Sequence, residues 1–128
     1  MISWKEYKAK AKQRGAMALE LFVAISTPVK LADHVASTLP KHLEYQASLE
    51  RRGQLAFAGP LSDDTGELMT GAGLIIYRAA DLTEARTLAD QDPMHKSGAR
   101  TYTLRRWLIN EGSFSLQIGL STGRTLLR

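Results

Sequence analysis

Four largely apolar runs and two amphipathic helical patterns follow one another as strand–helix–strand–strand–helix–strand. That order predicts an α+β fold of ferredoxin-like type, βαββαβ, with an antiparallel sheet and both helices on one face. Two further observations point the same way. Glycine, proline and aspartate punctuate the ends of nearly every run, and 128 residues suit a single domain spanning 1–128 with one core. Helices on one face leave the other apolar and uncovered, so a partner chain is expected to cover it.

The first element is a helix over residues 3–15. Trp4, Tyr7 and Ala11 share one face, Ser3 and Glu6 have the spacing of a capping box, and Gly15 ends it. Residues 19–25 are almost continuously apolar, which suits a central strand, and Thr27 with Pro28 stops it. A second helix is expected to start near residues 37–40, with Pro40 in its first turn, and to end at Gly53. Residues 55–58 form a short strand closed by Gly59 and Pro60, residues 62–67 a polar turn, and residues 71–77 a third strand. Asp81 caps a helix with Leu82, Ala85, Leu88 and Ala89 on one face, which Asp92 and Pro93 end. Residues 102–109 read as the fourth strand. The predicted core is therefore about 19–109, preceded by the helix and followed by an extension over 110–128. In that extension Gly112, Gly119 and Gly123 set off one or two further strands, expected at a sheet edge.

Composition narrows the function classes. Hydrophobic residues make up 44% and charged residues 23%, the range of a folded globular chain. There is no cysteine. This excludes a disulfide framework, cysteine-ligated metal and a thiol nucleophile, and it leaves a cytoplasmic location as the expectation. The longest apolar stretch, residues 16–26, is interrupted by Glu20 and falls short of the roughly 18–20 residues of a membrane span, so no membrane partner is expected. The net charge of +4 sits largely at the termini, with Lys5, Lys8, Lys10, Lys12 and Arg14 at one end and Arg124 and Arg128 at the other. It reads as a solvated basic arm. RNA binding is not expected, because residues 73–77 lack the interleaved aromatic and basic pattern that stacks bases, and only 7% of residues are aromatic.

Motif searches remove more. His34 and His42 have no H-E-x-x-H context and His95 lies in a loop beside Lys96, so no metal site is expected. Gly71-Ala72-Gly73 precedes a strand-like run rather than a helix, so it is no phosphate cradle, and no G-x-S-x-G elbow exists. His42 stands out. At about 100° per residue it falls in one arc with Leu39, Leu43, Tyr45, Gln46, Ala47 and Leu49, pointing toward the sheet or its rim. Periodicity alone leaves two readings, a core-edge histidine bonded to a backbone carbonyl or a functional imidazole.

Taken together, His42-Leu43, Leu49 and Gly53, Leu55, Ala58-Gly59-Pro60, Thr70-Gly71 and the helix running into Asp92-Pro93 resemble the YciI-like (YCII-related) domain. The match runs over roughly residues 19–109. The resemblance implies a ferredoxin-like fold that forms a sheet-to-sheet homodimer within the dimeric α/β-barrel superfamily. It also implies an active site built on a histidine–aspartate pair, here His42 and Asp92. Most members have no assigned reaction. A few act on small cyclic compounds of aromatic degradation, as lactone isomerases or dehydrochlorinases, without metal or organic cofactor. An aspartate that accepts one ring N–H fixes the tautomer and leaves the other nitrogen to move a substrate proton. Two positions depart from the family pattern: Met94 and Ala72 stand where many members carry an aromatic residue and a serine.

The expected function is thus a cofactor-free acid–base isomerase or lyase for a small cyclic or carboxylate compound, with His42 as base and Asp92 as its orienter. Tyr45, Ser62, Tyr77, His95 and Tyr102 are candidates for lining the substrate site. The alternative is a non-catalytic ligand-binding or assembly module of the same fold. One geometric expectation goes with the pair. A simple split βαβ is expected to put the start of the first helix and the end of the second at opposite ends of the sheet, so that meeting requires a late helix start, a loop that folds back at Asp92, or some other route to the pair.

Overall fold

The computed structural model describes residues 1–128 and realises the strand–helix–strand–strand–helix–strand order with additions at both termini. The elements are α1 (Trp4–Gln13), β1 (Leu19–Pro28), α2 (Ala32–Arg51), β2 (Leu55–Ser62), β3 (Met69–Tyr77), α3 (Leu82–Gln91), α4 (Pro93–Lys96), β4 (Arg100–Ile109), β5 (Leu116–Ile118) and β6 (Thr125–Leu127). They divide into two compact units, Glu20–Trp107 on one hand and Met1–Leu19 with Leu108–Arg128 on the other.

In the larger unit the strands lie in the order β2-β3-β1-β4. Both β1 and β2 pair antiparallel with β3, with Phe22 opposite Tyr77 and Ala58 opposite Ile75. The strands β1 and β2 therefore run parallel with β3 inserted between them, which is the split βαβ of a ferredoxin-like α+β fold. Strand alternation decides which side is covered. Phe22, Ala24, Ile75, Tyr77 and Leu104 point to one face and meet Leu49 of α2 and Ala85, Leu88 and Ala89 of α3 in the buried core. On the opposite face Ile25 and Trp107 are 40% and 43% exposed. Two shallow hollows of about 280 Å³ each lie there, both bounded by Leu74, Ile76 and Trp107.

Asp81 caps α3 by accepting the Glu84 amide at 2.8 Å, as its position before the apolar stripe predicts. The helix α2 departs from expectation. It starts at Ala32, well before residues 37–40, and Pro40 lies inside it. Its first residue follows Leu31, which offers no capping side chain, so the usual start signal is missing from the sequence. Pro40 removes the amide that would bond the Ala36 carbonyl, while the Ser37 and Thr38 hydroxyls turn back to the His34 carbonyl at 3.0 and 2.9 Å.

The strand β2 also runs through Gly59 and Pro60 rather than stopping there. It is an edge strand paired only with β3, so proline's missing donor is tolerated. The polar turn that follows is tied by Asp63, whose carboxylate accepts the Thr65 hydroxyl at 2.7 Å and the Leu68 amide at 3.3 Å.

In the smaller unit the capping box forms, with Ser3 Oγ accepting the Glu6 amide at 3.2 Å and Glu6 Oε2 accepting the Ser3 amide at 3.1 Å. Gly15 closes α1 at φ 86°, a conformation suited to glycine. The extension corrects another expectation. Its strands β5 and β6 pair with each other as a separate two-stranded hairpin, Leu116 opposite Leu127, and not with an edge of the four-stranded sheet.

Tyr77 is wholly buried, and its hydroxyl oxygen has no hydrogen-bond partner. An unpaired buried hydroxyl costs about 1–3 kcal/mol. Tyr77→Phe is therefore expected to leave the unfolding free energy unchanged or raise it by about 1 kcal/mol in urea titrations, whereas a clear loss would mean that the hydroxyl is paired in solution.

Candidate active site

The site forms because β1 ends where β4 begins. The amides of Val29 and Lys30 both donate to the Ala99 carbonyl, at 3.0 and 3.2 Å. That junction puts the start of α2, which follows β1, at the same end of the sheet as the end of α3, which precedes β4. The expectation of opposite ends was wrong: α2 and α3 follow β1 and β3, which run antiparallel, so the start of one helix lies beside the finish of the other. The early start of α2 then places His42 near the middle of the helix, on the side that packs on the core with Tyr45 and Leu49.

Asp92 sits in the turn between α3 and α4. Pro93 opens α4 with no amide hydrogen, so the Asp92 carboxylate caps the helix through the next residue and accepts the Met94 amide at 2.9 Å. The side chain is shut off from solvent. The structure brings His42 to it: Nδ1 lies 2.8 Å from Oδ1 and 2.9 Å from Oδ2. A carboxylate only accepts, so Nδ1 donates and Nε2 is left with its lone pair. The His42 side chain retains 14% exposure.

His95 belongs to α4 rather than to a loop. Its Nδ1 donates to the Ala89 carbonyl at 2.8 Å, and its Nε2 lies 2.8 Å from Ser26 Oγ. The Tyr102 ring packs against it, with centroids 4.7 Å apart and planes at 42°, and the Tyr102 hydroxyl donates to Asp90. Burial pushes the His95 imidazole below the ordinary histidine range, opposed by the Ala89 bond and the Asp92 charge and aided by His42 and Arg100.

The remaining sequence candidates are engaged by the fold. The Tyr45 hydroxyl donates to the Leu88 carbonyl at 2.7 Å, and burial with the Asp92 charge pushes it up. Tyr77 lies in the core, its phenol likewise raised by burial first and Asp92 second. Ser62 is exposed on the edge strand, its hydroxyl given to the Asp63 carbonyl at 2.8 Å.

Two residues were missed. Ser26 is 3% exposed and stands on the core face of β1 after Phe22 and Ala24. Arg100 opens β4 and donates from Nε to Ser26 Oγ at 2.9 Å, and from Nη2 to the Ser26 carbonyl at 2.8 Å and to the Gly71 carbonyl. The available signal was a lone hydroxyl at an inward position of an otherwise apolar strand. No group of three or more histidine, aspartate or glutamate side chains is placed to hold a metal ion.

A ferredoxin-like α+β fold with a histidine–aspartate pair at one end of the sheet defines the class. The chain belongs to the YCII-related domain family, whose model matches residues 19–108. Among solved structures, it is similar to 5-chloro-2-hydroxyhydroquinone dehydrochlorinase from Burkholderia phenoliruptrix AC1100, in complex with 2,5-dihydroxybenzoquinone. The two are 24% identical and align with a TM-score of 0.54 over 68% of this chain and 92% of the other, a likeness of fold. No curated protein matches the chain.

The depressed basicity of His95 has a consequence for stability. The unfolded chain takes up the proton at the ordinary histidine pKa of about 6.5, and the folded chain only at lower pH. Stability contributed by His95 is therefore full above that value and is lost as pH falls below it toward the folded value. His95→Gln is expected to flatten the acid limb of unfolding free energy against pH, measured by urea titration between about pH 7 and 5. An identical limb in the variant would assign the acid sensitivity to other groups.

Proposed function

We propose that this chain is a cofactor-free acid–base enzyme that moves a proton on a small cyclic or carboxylate compound, in an isomerisation or an elimination. The observation that supports it is the Nδ1–carboxylate bond between His42 and the buried Asp92. Asp92 orients the ring and stabilises the imidazolium that forms when Nε2 takes a proton from a carbon beside a carbonyl. The electron pair left behind forms an enolate. Return of the proton at another atom completes an isomerisation, and departure of a leaving group completes an elimination. The similar solved structure is a dehydrochlorinase holding a dihydroxybenzoquinone, which makes hydroxylated rings and lactones the first compounds to test.

Turnover needs the imidazole, while folding needs only a donor to the buried carboxylate, because an unpaired buried charge is strongly destabilising. His42→Gln keeps a donor. It is expected to fold with little change in Tm and to slow deuterium uptake at carbon from heavy water, followed by NMR on hydroxyquinones and lactones, by about 10²–10⁴-fold. Asp92→Asn, which retains an oxygen for the Met94 amide, should slow the same exchange. Undiminished exchange in His42→Gln would remove the proposal.

The open sheet face supports a homodimer in which this face is covered. Trp107→Glu is expected to shift the protein to monomer in sedimentation equilibrium, and a monomeric parent would refute the pairing. The same face favours the second reading, a binding or assembly module, since both hollows lie there and away from His42. Ligands whose stabilising effect on Tm survives His42→Gln but not Trp107→Glu would select that reading.

A further inference from the structure

The second histidine of the site is held in an ordered chain of bonds. The Ala89 carbonyl has lone pairs alone, so the His95 nitrogen 2.8 Å from it, Nδ1, carries the ring hydrogen. Arg100 Nε has only a hydrogen to offer, so at 2.9 Å it donates to Ser26 Oγ. With Nδ1 carrying the hydrogen of the neutral ring, Nε2 holds a lone pair, so the Ser26 hydroxyl gives its own hydrogen to it at 2.8 Å. The guanidinium is fixed in turn by the carbonyls of Ser26 and Gly71. Gly71 holds φ at 92°, and a Cβ there would come within 3.0 Å of Pro28 Cγ, so the third anchor depends on glycine.

We propose that Ser26 and Arg100 are positioning residues that hold His95 as the neutral Nδ1–H tautomer, so that the proton moved in the site is carried by His42 alone. The inference rests on the acid–base reading of His42. The charged and titratable groups around His95 come from every element packed on it: His42 from α2, Asp92 from the turn before α4, Lys96 from α4, Arg100 and Tyr102 from β4, with Asp90 of α3 behind Tyr102. Asp92 attracts a proton to both imidazoles, but its oxygens are bonded to His42. Protonating His95 would aim Nε2–H at an oxygen that already receives the Arg100 hydrogen. It would displace the hydroxyl hydrogen toward a new acceptor and place a second cation beside the guanidinium. The relay therefore leaves His95 as a fixed wall of the site and His42 as its one exchanging imidazole.

Side-chain ¹⁵N NMR of the histidines across pH tests this in the parent chain, Ser26→Ala and Ser26→Thr. In the parent, His95 is expected as the Nδ1–H tautomer, remaining neutral through the ordinary histidine range at about pH 6.5. Ser26→Ala removes the donor to Nε2 and should raise the His95 titration by about one unit or more, and Ser26→Thr, which keeps a hydroxyl, should restore it. The acid limb of the deuterium-exchange rate should gain a second ionisation in Ser26→Ala and lose it again in Ser26→Thr. An Nε2–H tautomer in the parent, His95 titration at the ordinary histidine value, or an unmoved His95 in Ser26→Ala would each overturn the proposal. These NMR readouts do not require turnover. A relay that holds while His42→Gln exchanges normally would sink the acid–base reading and not the relay, and an inert relay with His42-dependent exchange would do the reverse.

Discussion

A carboxylate shut off from water has to be surrounded by donors, because its desolvation costs several kcal/mol that nothing apolar can offset. Asp92 meets that requirement with two partners from different directions, the Met94 amide ahead of it in the chain and the His42 ring from α2. Both bonds fix structure as well as charge. The first turns the chain sharply from α3 into α4, which aims His95 back toward β1, and the second pins α2 at the level of His42. Remove the carboxylate and the turn, the tautomer of His42 and the approach of α2 to α4 all lose their common anchor.

The second half of the site is organised by strand ends. The junction of β1 with the residue preceding β4 is closed by Ala99, and Arg100 then reaches across β1 to a carbonyl of β3. Three strands are thereby clasped at the end of the sheet where the helices deliver their polar residues. Apolar packing holds the lower part of this layer, and hydrogen bonds hold the upper part. A polar site can form there because Asp92, Ser26, His95 and Arg100 all find partners.

Much of this was legible in the residues. Hydrophobic periodicity located four strands and two helices in order, the Asp81 and Ser3 caps formed as spaced, and the family resemblance singled out His42 and Asp92 as a pair that the structure places in contact. The errors have physical causes. The start of α2 was misplaced because Leu31 carries no capping group and because proline is favoured in a first turn, so Pro40 read as a beginning when it is a defect tolerated inside a long helix. Ser26 was hidden because it directly precedes Thr27 and Pro28, where a hydroxyl reads as strand termination. Arg100 was hidden because partners far apart in sequence leave no periodic trace.

The same tolerance that let β2 continue through Gly59 and Pro60 shapes what the free margin of the sheet can pair with. The outer rim of β2 carries a residue with no amide hydrogen, and its register shifts on both sides, between Leu55 and Phe57 and between Pro60 and Ser62. A rim interrupted in this way is a poor template for a further strand, so ribbon-like growth into amyloid is blocked on that side.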